Sequence, residues 1–134
     1  MKINSIKEID GVLLLYHHFL SSNASTIMDH VNSFKRHSQF NVFSVNTELG
    51  FPSILKKHRF RIIVLHYSLF GMWPHHVDKS FMAYLKESQN SYKVGFFQDE
   101  YWACQKRFEF IDEQKLDCVY TLVEPPYFQD TYHR

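Results

Sequence analysis

The segment Phe96–Phe97–Gln98–Asp99–Glu100–Tyr101–Trp102 gathers two adjacent acids and a carboxamide between aromatic residues. Carboxylates accept hydrogen bonds from hydroxyl groups, and aromatic faces stack on the apolar face of a sugar ring, so this grouping suits a polyol. Asp99 and Glu100 would equally favour the start of a following helix through its dipole. A second polar stretch, His17–His18–Phe19–Leu20–Ser21–Ser22–Asn23–Ala24–Ser25, holds hydroxyls and an amide but no glycine. It can serve an anion or a sugar hydroxyl at a helix N-terminus, or simply cap that helix. Without a GxGxxG fingerprint it does not read as a dinucleotide loop. The doublets His17–His18 and His75–His76 are poor chelates, because neighbours on a strand face opposite sides. One of His17 and His18 is therefore expected to reach a cleft and to bond or move a proton there. No metal site is expected. Cys104 and Cys118 are far apart in sequence and read as reduced, packed thiols.

These groups need elements to carry them. Five apolar runs recur about 20–30 residues apart, the rhythm of βα units: Val12–Tyr16, Phe40–Val45, Arg61–His66, Lys93–Phe97 and Asp117–Val123. They are nearly continuous in Val, Ile, Leu and Phe, as suits strands buried on both faces of a parallel sheet. Helical stripes lie between them. Ile27, Met28, Val31 and Phe34 predict a helix over Thr26–His37, and Pro52 opens a short helix to Lys57. Val77, Phe81, Met82 and Leu85 predict a third. Cys104, Phe108 and Ile111 predict a fourth, with Lys106, Arg107, Glu109, Asp112 and Glu113 toward water. The basic run Lys56–Lys57–His58–Arg59 reads as a solvated helix end. After Glu124–Pro125–Pro126, Tyr127–Arg134 reads as the start of another helix, cut short, which points to a fragment of a longer protein.

The fold expected is α/β, a doubly wound Rossmann-like parallel sheet of about five strands with helices on both faces, in the order 3-2-1-4-5. Ligands of such sheets bind at the carboxyl ends of strands, beside the point where the order reverses. In this order that point lies between strands one and four. The loops His17–Ser25 and Gln98–Trp102 then matter most, with His66–Pro74 next. A net charge of +1 in 134 residues does not fit a nucleic-acid binder. No stretch approaches the roughly 20 apolar residues of a membrane span, and no signal peptide is visible. A cytoplasmic protein is expected, with contact at a membrane surface left open.

The run Lys93–Val94–Gly95–Phe96–Phe97–Gln98–Asp99–Glu100–Tyr101, followed by Leu116–Asp117–Cys118–Val119–Tyr120–Thr121, resembles the amino-terminal domain of bacterial GT-B-fold glycosyltransferases. The early strand Val12–Tyr16 also fits. The resemblance implies the acceptor-binding half of a two-domain enzyme that moves a sugar from a nucleotide-sugar donor to a glycan or other hydroxyl acceptor. Asp99, Glu100 and His17 would be catalytic. His18, Ser22, Asn23, His66, Gln98 and Tyr101 would bind the acceptor. No cofactor is implied in this chain. The donor would be held mainly by a carboxyl-terminal domain beyond Arg134, and the chain alone would be inactive. The competing expectation is a stand-alone flavodoxin-like or receiver-like binding or signalling domain. A receiver would need acids after strand one and an Asp after strand three, where His17–His18 and His66–Tyr67–Ser68 stand. A flavin would need an aromatic sandwich, for which Tyr67, Trp73, Tyr101 and Trp102 are available.

Overall fold

The computed structural model describes residues 5–22, 25–100 and 103–132. Five parallel strands form one sheet: β1 (Lys7–Tyr16), β2 (Val42–Asn46), β3 (His58–Leu65), β4 (Tyr92–Phe96) and β5 (Cys118–Tyr120). Four helices accompany them: α1 (Thr26–His37), α2 (Lys79–Glu87), α3 (Cys104–Gln114) and the short α4 (Phe128–Tyr132). The α/β class and the parallel sheet are as the apolar runs required.

Alternation along the central strands builds two cores. Leu13, Leu15, Ile63 and Leu65 face one side, where Phe81, Tyr84 and Leu85 of α2 and Phe110 of α3 cover them. Val12, Leu14, Val64 and Val94 face the other, under Val31, Ile27, Met28 and Phe34 of α1. Helices therefore lie on both faces. Burial of side chains this size contributes about 1.5–3 kcal/mol each, and β1, paired on both sides, holds three leucines at 0% exposure.

Gly11 sits where the β1–β3 register shifts, between Ile9 and Val12. A Cβ there would lie 2.9 Å from the Asn41 carbonyl oxygen, the same oxygen that accepts the Val12 N–H. Only glycine lets the strands close at this step.

The strand order is β2-β1-β3-β4-β5, which corrects the expected 3-2-1-4-5. The reason is the β2–β3 connection. Residues 47–57 contain only two short 3-10 turns, Thr47–Leu49 and Ser53–Lys57, and the chain crosses to the far side of β1 instead of extending beyond β2. The order now reverses between β1 and β3, so the loops after those two strands flank the crevice, joined by the loop after β4. Of the run Lys56–Arg59, Lys56 and Lys57 are the exposed end of the second 3-10 turn, as expected, whereas His58 and Arg59 open β3, and Arg59 pairs with Glu87 at 3.0 Å.

Candidate functional site

At the carboxyl ends of the strands lies an open cleft of about 320 Å³, walled by the loops after β1, β3 and β4. That volume is at the lower end of the range for small-ligand sites. His17, Gln98 and Asp99, three of the expected residues, line it, although His17 and Asp99 lie far apart in the sequence.

β1 ends by turning His17 inward, 7% exposed. Its Nδ1 is 2.8 Å from Thr47 Oγ1 and its Nε2 is 3.4 Å from Glu48 Oε2. Its ring stacks on that of His76 with centroids 3.5 Å apart and planes 3° from parallel, and Phe19 meets it edge-on at 4.7 Å. Burial and the His76 ring hold the His17 imidazole below its usual range, against the pull of Glu48. His76 is lowered by burial too. The two imidazoles are therefore stacked directly on one another at the cleft, both held below their usual range. His18, already past the end of β1, does not line the cleft. Its backbone exchanges hydrogen bonds with the Asn46 side chain, accepting at 2.8 Å and donating at 3.0 Å.

His66 is fully buried beneath the cleft and lines no part of it. Its Nδ1 accepts from the Ser68 N–H at 3.1 Å and lies 2.8 Å from Ser68 Oγ. That bonding assigns the hydrogen to Nε2, which donates to His30 Nδ1 at 2.8 Å. Ser68 Oγ also accepts the His17 N–H at 2.9 Å. The chain His17–Ser68–His66–His30 thus ties the loops after β1 and β3 to α1. Burial, and then the neighbouring His30, push the His66 pKa down to about 3, so it is a neutral strut and a poor base.

After β4, Asp99 takes a left-handed conformation, φ 53°, which aspartate tolerates better than most residues. It is exposed, and its carboxylate engages no other described group. Glu100 goes elsewhere. Its Oε1 accepts from the Thr121 hydroxyl, from the Leu122 N–H at 3.2 Å and from the Tyr132 hydroxyl at 3.3 Å. It pins the segment after β5 and is not part of the cleft wall. The same enclosure pushes the Tyr132 pKa up to about 12. Ser22 is half-buried and does not line the cleft. Asn23 and Tyr101 lie outside the described residues, as does Trp102.

Three more residues belong to the cleft wall. Tyr67 and Ser68 come from the 3-10 turn Tyr67–Phe70 directly after β3; the expected order had put this loop third in importance. Arg107, expected to face water, is 3% exposed. The buried face of α3 is Arg107, Phe110 and Gln114, at i, i+3 and i+7. That stripe was present in the sequence, but the competing stripe through Cys104, Phe108 and Ile111 looked more apolar. Arg107 donates to the Gln98 carbonyl through Nη1 and to the Phe70 carbonyl through Nη2, at 3.0 Å for the latter. It staples the loops after β3 and β4 together.

A larger hollow, about 560 Å³, lies at the other end of the sheet among Glu8, Asp10, Arg59, Arg61 and Glu87. Four of its charges pair with one another, Arg59 with Glu87 and Arg61 with Asp10, each at 3.0 Å. Among the described residues, no cluster of three or more His, Cys, Asp or Glu side chains is arranged to hold a metal ion. Nor is any helix among them long and apolar enough to cross a membrane. Cys104 and Cys118 are free and half-buried.

No protein-family model matches the chain, and no curated protein matches it. Among solved structures, a crystal structure described as adenylate cyclase from Rhodopirellula baltica is similar, with a TM-score of 0.53. It is 14% identical, and the match covers 91% of this chain and 84% of that one. At that identity the likeness is one of fold.

Proposed function

We propose that the chain is the acceptor-binding half of a glycosyltransferase, with the cleft after β1, β3 and β4 as the acceptor site. The observation that carries this reading is the free, exposed carboxylate of Asp99 on the wall of a cleft also lined by Gln98, His17 and Tyr67. An unpaired carboxylate beside a carboxamide and aromatic rings matches a hydroxyl-rich ring better than a lipid tail. Asp99 would accept the proton of the attacking hydroxyl as its oxygen bonds to the anomeric carbon of the donor sugar and the donor phosphate leaves. Gln98 and His17 would orient the acceptor. The nucleotide-sugar donor would come from a second domain facing the same edge. The six-stranded Rossmann order 3-2-1-4-5-6, stripped of its outer third strand and renumbered, reads 2-1-3-4-5, so the observed order is compatible with this reading.

The same order is also that of flavodoxin-like sheets, which bind at the β1/β3 crevice. It favours a second reading, a stand-alone flavin-binding or signalling domain. Of the aromatic residues available for a flavin, Tyr67 lines the cleft, while Trp73 faces a separate hollow with Lys106 over its ring at 4.9 Å.

The test is turnover by a polypeptide that joins this chain to a donor-binding domain, supplied with labelled nucleotide sugars and glycans. Asp99→Asn should lower turnover at least about a hundredfold, the scale of lost general-base catalysis. Its thermal midpoint should stay within a few degrees, because asparagine also accepts the left-handed backbone. Full activity in Asp99→Asn removes Asp99 from the chemistry. A yellow chain with flavin absorbance would favour the second reading.

A further inference from the structure

Arg107 is a charged group that acceptor binding leaves unexplained. Its side chain is buried, it makes no ion pair with any described carboxylate, and its Nε–H has no hydrogen-bond partner. Two backbone carbonyls take one N–H from each terminal nitrogen, out of the five N–H donors a guanidinium carries. Burying a cation without a counter-charge is strongly unfavourable. A neutral donor could tie the two loops together without that penalty. Arg107 is one of the residues that line the cleft, so a counter-charge held in the cleft would lie beside it.

A separate feature points the same way. In a parallel sheet, helices that follow a strand begin at its carboxyl end, so α1 and α3 both open at this edge. Neither Ser25 nor Ala103, at their N-caps, makes a side-chain capping bond. By contrast, Asp78 caps α2 by accepting from the Ser80 and Phe81 N–H groups. Free N–H groups and the positive ends of helix dipoles attract anions.

We propose that the cleft binds a phosphate-bearing small molecule whose phosphoryl group lies against Arg107. Asp99 on the same wall accepts from hydroxyls. The ligand is therefore a phosphate or diphosphate compound whose part toward Asp99, where it has one, is hydroxyl-rich. A sugar phosphate and the diphosphate of a nucleotide both meet this description at the phosphoryl end. The assignment stands on Arg107 and does not depend on the transfer reading.

The test is a titration of the nitrogen-15-labelled chain, following the Arg107 Nε–H resonance and the Gln98 and Gly71 amides. The probes are inorganic pyrophosphate, uridine diphosphate and glucose 6-phosphate, with sodium chloride at matched ionic strength as control. At least one probe should shift these signals saturably at concentrations up to about 10 mM. Response to pyrophosphate and uridine diphosphate alone assigns the site to a diphosphate; response to glucose 6-phosphate alone assigns it to a sugar phosphate. Arg107→Met, which keeps apolar bulk, should weaken binding at least about tenfold. If that variant does not fold, the wild-type Nε–H titration decides. The proposal is overturned if no probe moves the Arg107 Nε–H beyond the chloride control, or if folded Arg107→Met binds as tightly as wild type. A chain that binds these anions but no neutral glycan keeps this proposal and loses the transfer reading.

Discussion

Mild acid should destabilise this fold, and His66 should carry an identifiable share of the loss. The imidazole is at 0% exposure, with Nδ1 committed to Ser68 and Nε2–H to His30. Its folded pKa is pushed from 6.5 to about 3 by burial and then by His30. A group whose folded pKa is depressed contributes stability above its unfolded pKa. That contribution is lost as pH falls from the unfolded value toward the folded one, because the unfolded chain takes up the proton first. Between about pH 7 and about pH 5, His66 alone should therefore remove about 2 kcal/mol. His17, His30, His75 and His76 are also lowered, with burial as the largest cause of each, and add losses of the same sign. The assay is urea unfolding at the two pH values for wild type and His66→Asn. Asparagine is a good N-cap and can keep the bond to the Ser68 N–H while removing the titrating ring. The variant should start less stable, yet lose about 2 kcal/mol less than wild type across the same interval. Equal losses in the two proteins would refute the reasoning, since His66 would then titrate alike in the folded and unfolded chain.

Two further outcomes follow from local bonds. Asp78→Ala removes the α2 cap and should cost about 1 kcal/mol, seen as a fall of roughly 3–5 °C in the calorimetric midpoint. Glu100→Ala releases Thr121, Leu122 and Tyr132 together, and should cost about 1–3 kcal/mol with faster amide exchange after β5. Because Glu100 lies off the cleft wall, ligand affinity should be unchanged in the folded variant.

The elements were legible because their signals are local. α1 spans the residues its stripe predicts, Thr26–His37, and each of the five apolar runs overlaps a strand. Strand order was not legible, because it depends on where the residues 47–57 connection lands, and that is decided by long-range packing against β1. The cleft was half legible. Asp99, Gln98 and His17 follow strand ends directly, so topology alone brings them to one edge. Glu100 differs from Asp99 by one position, and only the arrival of Thr121 and Tyr132 separates their roles. Arg107 was misjudged because a charged residue in a helix is ordinarily solvated. Its burial depends on two backbone carbonyls supplied by distant loops.

The account's central claim, that the cleft binds a sugar acceptor, is tested most directly by titrating the nitrogen-15-labelled chain with a panel of neutral mono- and oligosaccharides. The amide and side-chain signals of His17, Tyr67, Gln98 and Asp99 are read against those of Asp10, Arg59 and Arg61 at the other edge of the sheet. At least one sugar should shift the first group saturably, leave the second unmoved, and lose at least about tenfold in affinity in Asp99→Asn. No response to any sugar, or shifts confined to the Asp10–Arg61 edge, would contradict it.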